Sequence, residues 1–151
     1  LWLIRSLPVT AWQALRAKLD LHLLLTAVPA VFCALGGGVA FRAGVSEVLL
    51  VLLVVLLFSG FSALFDLMAG LLWPNLHWTS ETAVIKQSMF GFAALFGSWA
   101  AGLLLMVGGL LLLRVLPGTG VLAVCAALLA AVDALLLHWV KGNGCRRFEE
   151  L

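Results

Sequence analysis

Charged side chains are scarce in this sequence, at 11% of 151 residues, whereas soluble domains carry about 25%. Apolar residues make up 64%, well above the roughly 45–50% of soluble domains. A soluble domain of this size could not bury so much apolar surface, because its surface-to-volume ratio is too high. Lipid must therefore be part of the solvent. The net charge of +2 is also too small to indicate a nucleic-acid partner.

The sequence also lacks the residue sets that carry catalysis, metal binding or nucleotide binding. Its three cysteines, Cys33, Cys125 and Cys145, are widely separated and fit neither a disulfide framework nor a metal site. The glycine run at residues 36–38 has no lysine after it, so it is not a phosphate-binding loop. No H-E-x-x-H motif or nucleophile–base set is present. We therefore expect a protein that is not an enzyme and binds no cofactor, with any ATP held by another chain.

Four apolar runs are each long enough to cross a hydrocarbon core of about 30 Å, which takes about 20 helical residues. They cover residues 21–41, 48–73, 88–113 and 121–140. Open strands are excluded from lipid, and the alternation of apolar and polar residues that a barrel needs is absent. The sequence predicts an all-α integral membrane bundle of four transmembrane helices, followed by a tail over residues 141–151.

Basic residues are distributed unequally between the two sides of the predicted membrane. The first and third connections contribute only Arg42 and Arg114 to one side. The other side holds seven basic residues: Arg5, Arg16, Lys18, Lys86, Lys141, Arg146 and Arg147. Because cytoplasmic loops are enriched in lysine and arginine, both termini and the 74–87 loop are predicted to be cytoplasmic. Three tryptophans fall at the same edge, as in an aromatic belt: Trp73, Trp78 and Trp139.

The first 20 residues differ from the spans and predict an amphipathic helix on the cytoplasmic surface. Thr10 has the side chain of a helix N-cap. Apolar residues then recur at helical spacing at Trp12, Leu15 and Leu19, while Arg16 lies off that stripe. Such a helix lies in the interface and leads directly into the first span.

Two carboxylates fall inside the predicted spans. Asp66 and Asp133 each lie about seven residues from the cytoplasmic end of their helix, which places both about 10 Å into the membrane. Charges within spans are costly and usually face a bundle interior or water, so both residues are candidate functional groups. A structural interpretation stays open for both, in which the carboxyl is protonated or hydrogen-bonded to a neighbouring helix.

Small residues recur at helical spacing on the third and fourth spans. The third span carries Ala94, Ser98, Gly102 and Gly109, and the fourth carries Ala123, Ala127 and Ala131. Rows of this kind let helix backbones approach closely. They predict helix–helix contacts, either within this chain or with helices of another.

Two segments near the predicted cytoplasmic surface go beyond generic membrane composition. The first is Ser6-Leu7-Pro8-Val9-Thr10, followed by Ala17-Lys18. The second is Asp66, then Pro74-Asn75-Leu76-His77-Trp78-Thr79-Ser80-Glu81, then Val84-Ile85-Lys86-Gln87-Ser88. Together with the closing Arg146-Arg147-Phe148-Glu149-Glu150-Leu151, they resemble the permease subunits of bacterial ATP-binding-cassette (ABC) exporters. His77 departs from the family pattern, which more often has an aspartate there.

The resemblance implies a translocation pathway in the bacterial inner membrane, powered by a separate ATPase subunit. Family permeases are longer, so it also implies that this chain corresponds to a C-terminal part, completed by further transmembrane helices of the same or a second permease. In such exporters, short cytoplasmic segments of the permease dock on the ATPase. The candidate coupling residues are Pro8, Thr10, Trp12, Arg16, Lys18, Trp78, Glu81 and Lys86.

Other interpretations of the same residues stay open. An ion-coupled secondary transporter would use Asp66 and Asp133, and a non-transporting assembly or anchor protein would use the small-residue rows for docking. In the 74–87 loop, Trp78 would simply sit among the lipid headgroups and Glu81 would favour the positive end of the next helix.

Overall fold

The computed structural model describes residues 10–72 and 89–150, and this part of the chain is helical with short turns and no strand. Four long helices are followed by a π-helical segment and a short helix. They are α1 (Ala11–Ala40), α2 (Val45–Leu72), α3 (Met89–Leu112), α4 (Gly118–Trp139), the π segment (Val140–Gly144) and α5 (Cys145–Glu150). The all-α prediction is confirmed.

The four long helices are all long and apolar enough to cross a membrane. Many of their large apolar side chains point outward, among them Leu24, Phe32, Leu104 and Leu135, each with more than two thirds of its surface exposed. An outer surface of this kind is unfavourable in water and suited to lipid. The chain is therefore a membrane-embedded protein, as its composition predicts.

Helix α1 begins at a reciprocal cap. The Gln13 backbone N–H donates to Thr10 Oγ1 (3.3 Å), and the Thr10 N–H donates to Gln13 Oε1 (2.9 Å), which satisfies two otherwise unpaired donors. The predicted N-cap at Thr10 is confirmed. The helix then runs without a break to Ala40, so the predicted amphipathic segment and the first span form one helix.

The apolar stripe at the start of α1 faces protein. Leu15 and Leu19 are buried against α2 and the C-terminal segments, in a cluster with Leu71 and Val140. We call these four residues the end cluster. Trp12 and Phe148 pack against it. The stripe was expected to lie on the membrane surface, and the structure instead uses it to join α1 to the end of the bundle.

Helix α2 is the central helix of the described bundle, since it packs against α1, α3 and α4. A row of rings, Phe58, Phe61 and Phe65, runs along it, with neighbouring centroids 6.0 and 5.7 Å apart. Phe65 lies against Gly97 of α3, and Phe58 lies against Gly102. These glycines let α3 approach the rings closely.

The small-residue row of α3 faces the described bundle, whereas that of α4 lies on its exposed surface. On α3, Ala94 is buried and Gly102 and Gly109 face side chains of α2 and α4. The alanines at 123, 127 and 131 are exposed, and the buried stripe of α4 consists of Val121, Cys125, Ala126 and Leu129 instead. Both rows consist of small residues at helical spacing, so the sequence alone does not tell which of them faces the bundle.

The C-terminal helix extends further than the predicted fourth span. Helix α4, the π segment and α5 follow one another without a turn, so the predicted boundary at residue 140 lies within helical structure. The π segment contains Gly142 and Gly144, which weaken a regular α-helix. Gly144 lies close to Leu71 of α2, so α5 runs beside the end of that helix.

Candidate functional site

The polar side chains of α2 lie on one face, in the middle and second half of the helix. Ser59, Ser62 and Asp66 follow one another at intervals of three and four residues, which places them on one side of a helix. This face points between α1 and α3, because Ser59 contacts α1 and Ser62 contacts α3. The polar groups of three helices therefore meet along one line between α1, α2 and α3.

Two hydroxyl pairs join α2 to its neighbours along this line. Thr26 Oγ1 and Ser59 Oγ are 2.5 Å apart, between α1 and α2, and Ser59 is buried. Ser62 Oγ and Ser98 Oγ are 3.4 Å apart, between α2 and α3. Hydrogen bonds between spans hold helices together where apolar burial gives no preference for protein over lipid.

A cleft of about 880 Å³ lies between α2 and α3 on the same face. We call it the Asp66 cleft. Its lining consists of Phe58, Ser62, Asp66, Ala94, Leu95, Ser98, Trp99, Gly102, Leu103 and Met106. Asp66 is partly buried and also interacts electrostatically with His22 of α1. The cleft thus combines one carboxyl group, two hydroxyls and two aromatic rings with apolar walls.

Asp133 occupies a different place. It lies on α4 against Gly60 of α2, where a methyl group on that glycine would be 3.2 Å from Asp133 Oδ2. Its Oδ1 is buried and has no hydrogen-bond partner within residues 10–72 and 89–150. Since Gly60 precedes Asp66 by six helical residues, Asp133 lies about 9 Å further from the end cluster than Asp66. The two acids were expected at equal depth, and the structure differs because α4 continues beyond residue 140.

The two acids also face different neighbours. Asp66 lines the cleft between α2 and α3, and Asp133 faces the contact between α2 and α4. The structure therefore does not bring the two candidate residues into a single ion-binding site. In the described part of the chain, no group of three or more His, Cys, Asp or Glu side chains could hold a metal ion.

A second cavity, of about 670 Å³, lies at the opposite end of the bundle. Side chains from α1, α2, α3 and α4 line it, and almost all of them are apolar, with Glu47 as the exception. Glu47 is already used locally, since its carboxylate accepts a hydrogen bond from the Gly44 backbone N–H (3.0 Å) at the turn into α2. The one charged side chain of this cavity is thus engaged in the turn, and the rest of the lining is apolar.

The candidate coupling residues that the structure describes lie on the first turns of α1, which also contribute Leu15 and Leu19 to the end cluster. Thr10 caps α1, Trp12 packs on the cluster, and Arg16 and Lys18 are exposed. Arg16 pairs with Asp20 at 3.5 Å on the exposed helix surface, which contributes little stability. Four of the candidate residues lie outside the described part: Pro8, Trp78, Glu81 and Lys86.

One contact at this end was not predicted. The Lys141 ammonium lies 5.1 Å from the centroid of the Trp12 ring, in cation–π geometry. It joins the start of α1 to the π segment, more than a hundred residues later. The only sequence signal for it is that both residues were predicted on the cytoplasmic side.

A comparison of the chain with protein-family models, curated proteins and solved structures finds no match.

Proposed function

We propose that this chain is the membrane-spanning permease part of an ABC-type exporter, acting with an ATPase on a separate subunit. The observation that carries the proposal is the position of the end cluster. It joins the start of α1, the end of α2 and the C-terminal segments. The segment with the exporter-like motif, residues 74–88, follows directly after α2 ends at Leu72.

This arrangement suits a coupling role for mechanical reasons. Helix α1 is continuous from Ala11 to Ala40. A partner that moves its first turns therefore also moves the rest of the helix, which packs in the bundle. Leu15 and Leu19 link those turns to Leu71 at the end of α2. A displacement at the end cluster would therefore be transmitted to α1 and to α2, the helix that carries the polar face, since packed helices move as rigid units.

The proposal includes an orientation and a location. The end cluster would face the cytoplasm of a bacterial cell, because the exposed basic residues Lys18, Lys141 and Arg146 lie there. Both termini would then be cytoplasmic, and the protein would lie in the inner membrane. In this proposal, further transmembrane helices of the same or a second permease pack beside this chain.

The test is reconstitution with an ATPase. The chain, with any flanking permease sequence encoded in the same gene, is purified in lipid nanodiscs with the ABC ATPase encoded beside it. We expect the two to elute together and the lipid-embedded complex to hydrolyse ATP faster than the ATPase alone. Trp12→Ala and Glu81→Ala should lower this stimulation several-fold. Leu111→Ala, an exposed change on α3 near the opposite end, should leave it unchanged.

Three other results would contradict the proposal. Absence of any association with the ATPase would remove the exporter assignment. Ion-coupled flux without an ATPase, lost in Asp66→Asn or Asp133→Asn, would favour a secondary transporter. Stable capture of a membrane partner that is not an ATPase, lost when the exposed row at Ala123, Ala127 and Ala131 is changed to leucine, would favour an assembly role.

A further inference from the structure

Asp66 is an unusual residue for its position. It lies six residues from the end of α2, within a helix of high hydropathy, where a carboxylate is costly unless something compensates its charge. Within the described part of the chain it makes no hydrogen bond or ion pair, and only His22 of α1 acts on it electrostatically. The residue instead lines the Asp66 cleft.

The rest of the cleft favours one chemical class of ligand. Phe58 and Trp99 contribute aromatic rings, whose faces attract positive charge. Ser62 and Ser98 contribute hydroxyls, and these already pair with each other. The remaining lining is aliphatic, so it would accept organic groups rather than the water shell of an inorganic ion. A carboxyl group beside aromatic rings in an apolar pocket is complementary to a cation with a large apolar surface.

The cleft also has a suitable size and entrance. Its volume of about 880 Å³ lies within the roughly 300–1,000 Å³ typical of small-molecule sites. Trp99 is 67% exposed and Leu103 is 57% exposed, so one side of the lining is on the outer surface of the bundle. Because that surface faces lipid, a ligand can enter from the bilayer, where lipophilic cations accumulate.

From this geometry we infer that the Asp66 cleft binds one lipophilic organic cation, such as a phosphonium or a substituted ammonium ion. Asp66 supplies the opposite charge, Trp99 and Phe58 supply ring faces, and the aliphatic walls take the organic groups. The inference concerns binding by this chain alone. It does not depend on the proposed exporter function, and it holds equally for a protein that never contacts an ATPase.

The experiment measures binding of radiolabelled tetraphenylphosphonium to the full chain in nanodiscs of zwitterionic lipid. Tetraphenylborate, which has the same shape and the opposite charge, is the control ligand. We expect saturable binding of one tetraphenylphosphonium per chain and no saturable binding of tetraphenylborate. Asp66→Asn keeps the side-chain shape and removes the charge, and it should weaken binding at least about tenfold, as expected for loss of a close charge in a low-dielectric site.

Two further variants make the result specific. Asp133→Asn removes the other intramembrane acid, which does not line the cleft, and should leave the affinity unchanged. Trp99→Leu changes a largely exposed residue, and should weaken binding about three- to tenfold through loss of the ring. If Asp66→Asn does not fold, as judged by circular dichroism and gel filtration, the test is the affinity of Trp99→Leu compared with that of the wild type.

The inference is overturned if tetraphenylborate binds as well as tetraphenylphosphonium, because the site would then recognise shape without charge. It is overturned equally if folded Asp66→Asn and Trp99→Leu proteins both bind like the wild type. A loss of binding in Asp133→Asn but not in Asp66→Asn would place the site elsewhere. Failure of the chain to associate with an ATPase has no bearing on any of these measurements.

Discussion

Thr26 of α1 and Ser59 of α2 form a hydrogen bond across two helices, with 2.5 Å between their hydroxyl oxygens. Thr26 also donates to the backbone carbonyl of His22, four residues earlier (2.9 Å). The hydroxyl of Thr26 therefore keeps a partner even without Ser59. Ser59 is buried, and Thr26 is its one hydrogen-bond partner in the described part of the chain.

Ser59→Ala should therefore lower the free energy of unfolding by about 0.6 kcal/mol and by no more than about 1.7 kcal/mol, the average and the maximum measured for hydrogen bonds between spans. The measurement is reversible unfolding in mixed micelles, followed by circular dichroism. Ser46→Ala, an exposed serine at the start of the same helix, is the matched control and should have no effect. In a double-mutant cycle with Thr26→Val, additive losses would mean that the two hydroxyls do not interact.

A second prediction concerns the close approach of α2 and α3. A methyl group on Gly97 would collide with the ring of Phe65, which is itself stacked on Phe61. Gly97→Ala should therefore destabilise the bundle by about 1–3 kcal/mol, as overpacking does in well-packed contacts. The decrease is measured in the same unfolding assay.

Gly108 on the same helix is the matched control, because a methyl group there meets no atom within 4 Å. Gly108→Ala should be neutral or slightly stabilising, since alanine favours a helix over glycine. Replacing the ring by Phe65→Leu should restore part of the stability lost in Gly97→Ala. Equal behaviour of the two glycine variants would show that α2 and α3 do not pack in this way.

Much of this architecture is readable from the sequence, and the reasons are local. The four spans follow from apolar runs of about the length that a bilayer requires. The start of α1 follows from Thr10 and Gln13, which cap within three residues of each other. Asp66 could be singled out because an acid is rare inside such a run. These features depend on residues close together in the chain or on the match between apolar runs and the bilayer. Both can be read directly from the sequence.

Features that depend on distant neighbours were not predictable in this way. The Trp12–Lys141 contact requires knowing that the C-terminal segments lie beside the start of α1. The depth of Asp133 depends on the register of α4 against α2, which the helical segment beyond residue 140 sets. Ser62 and Ser98 are ordinary serines in apolar runs, and they become part of a site only when α2 and α3 are placed side by side.

The unpaired oxygen of Asp133 leads to a third prediction. Its Oδ1 is buried without a partner in the described bundle, and the residue does not line the Asp66 cleft. Leucine has a similar branched shape and no polar atoms to satisfy. Asp133→Leu should therefore raise the free energy of unfolding by about 1–3 kcal/mol, the typical cost of a buried unsatisfied group.

The control for this change is Asp133→Ala, which removes the same oxygens but leaves a cavity against Gly60 and should be less stable than Asp133→Leu. A marked loss of stability in the leucine variant would mean that Asp133 has a polar partner in the native protein. That partner would then be a group outside the described residues, or a helix of another chain.

The last prediction concerns orientation in the membrane. Ala17 is exposed near the start of α1, and Val115 is 83% exposed in the turn between α3 and α4. Because three helices alternate in direction between them, the two positions should lie on opposite sides of the bilayer.

In a variant with Cys33, Cys125 and Cys145 replaced by alanine, Ala17→Cys should react with an impermeant maleimide only in inside-out vesicles. Val115→Cys should react only in right-side-out vesicles, and neither change alters the basic residues that set the orientation. The reverse pattern would show an inverted protein, and labelling of both positions from one side would mean that the helices do not all cross the membrane.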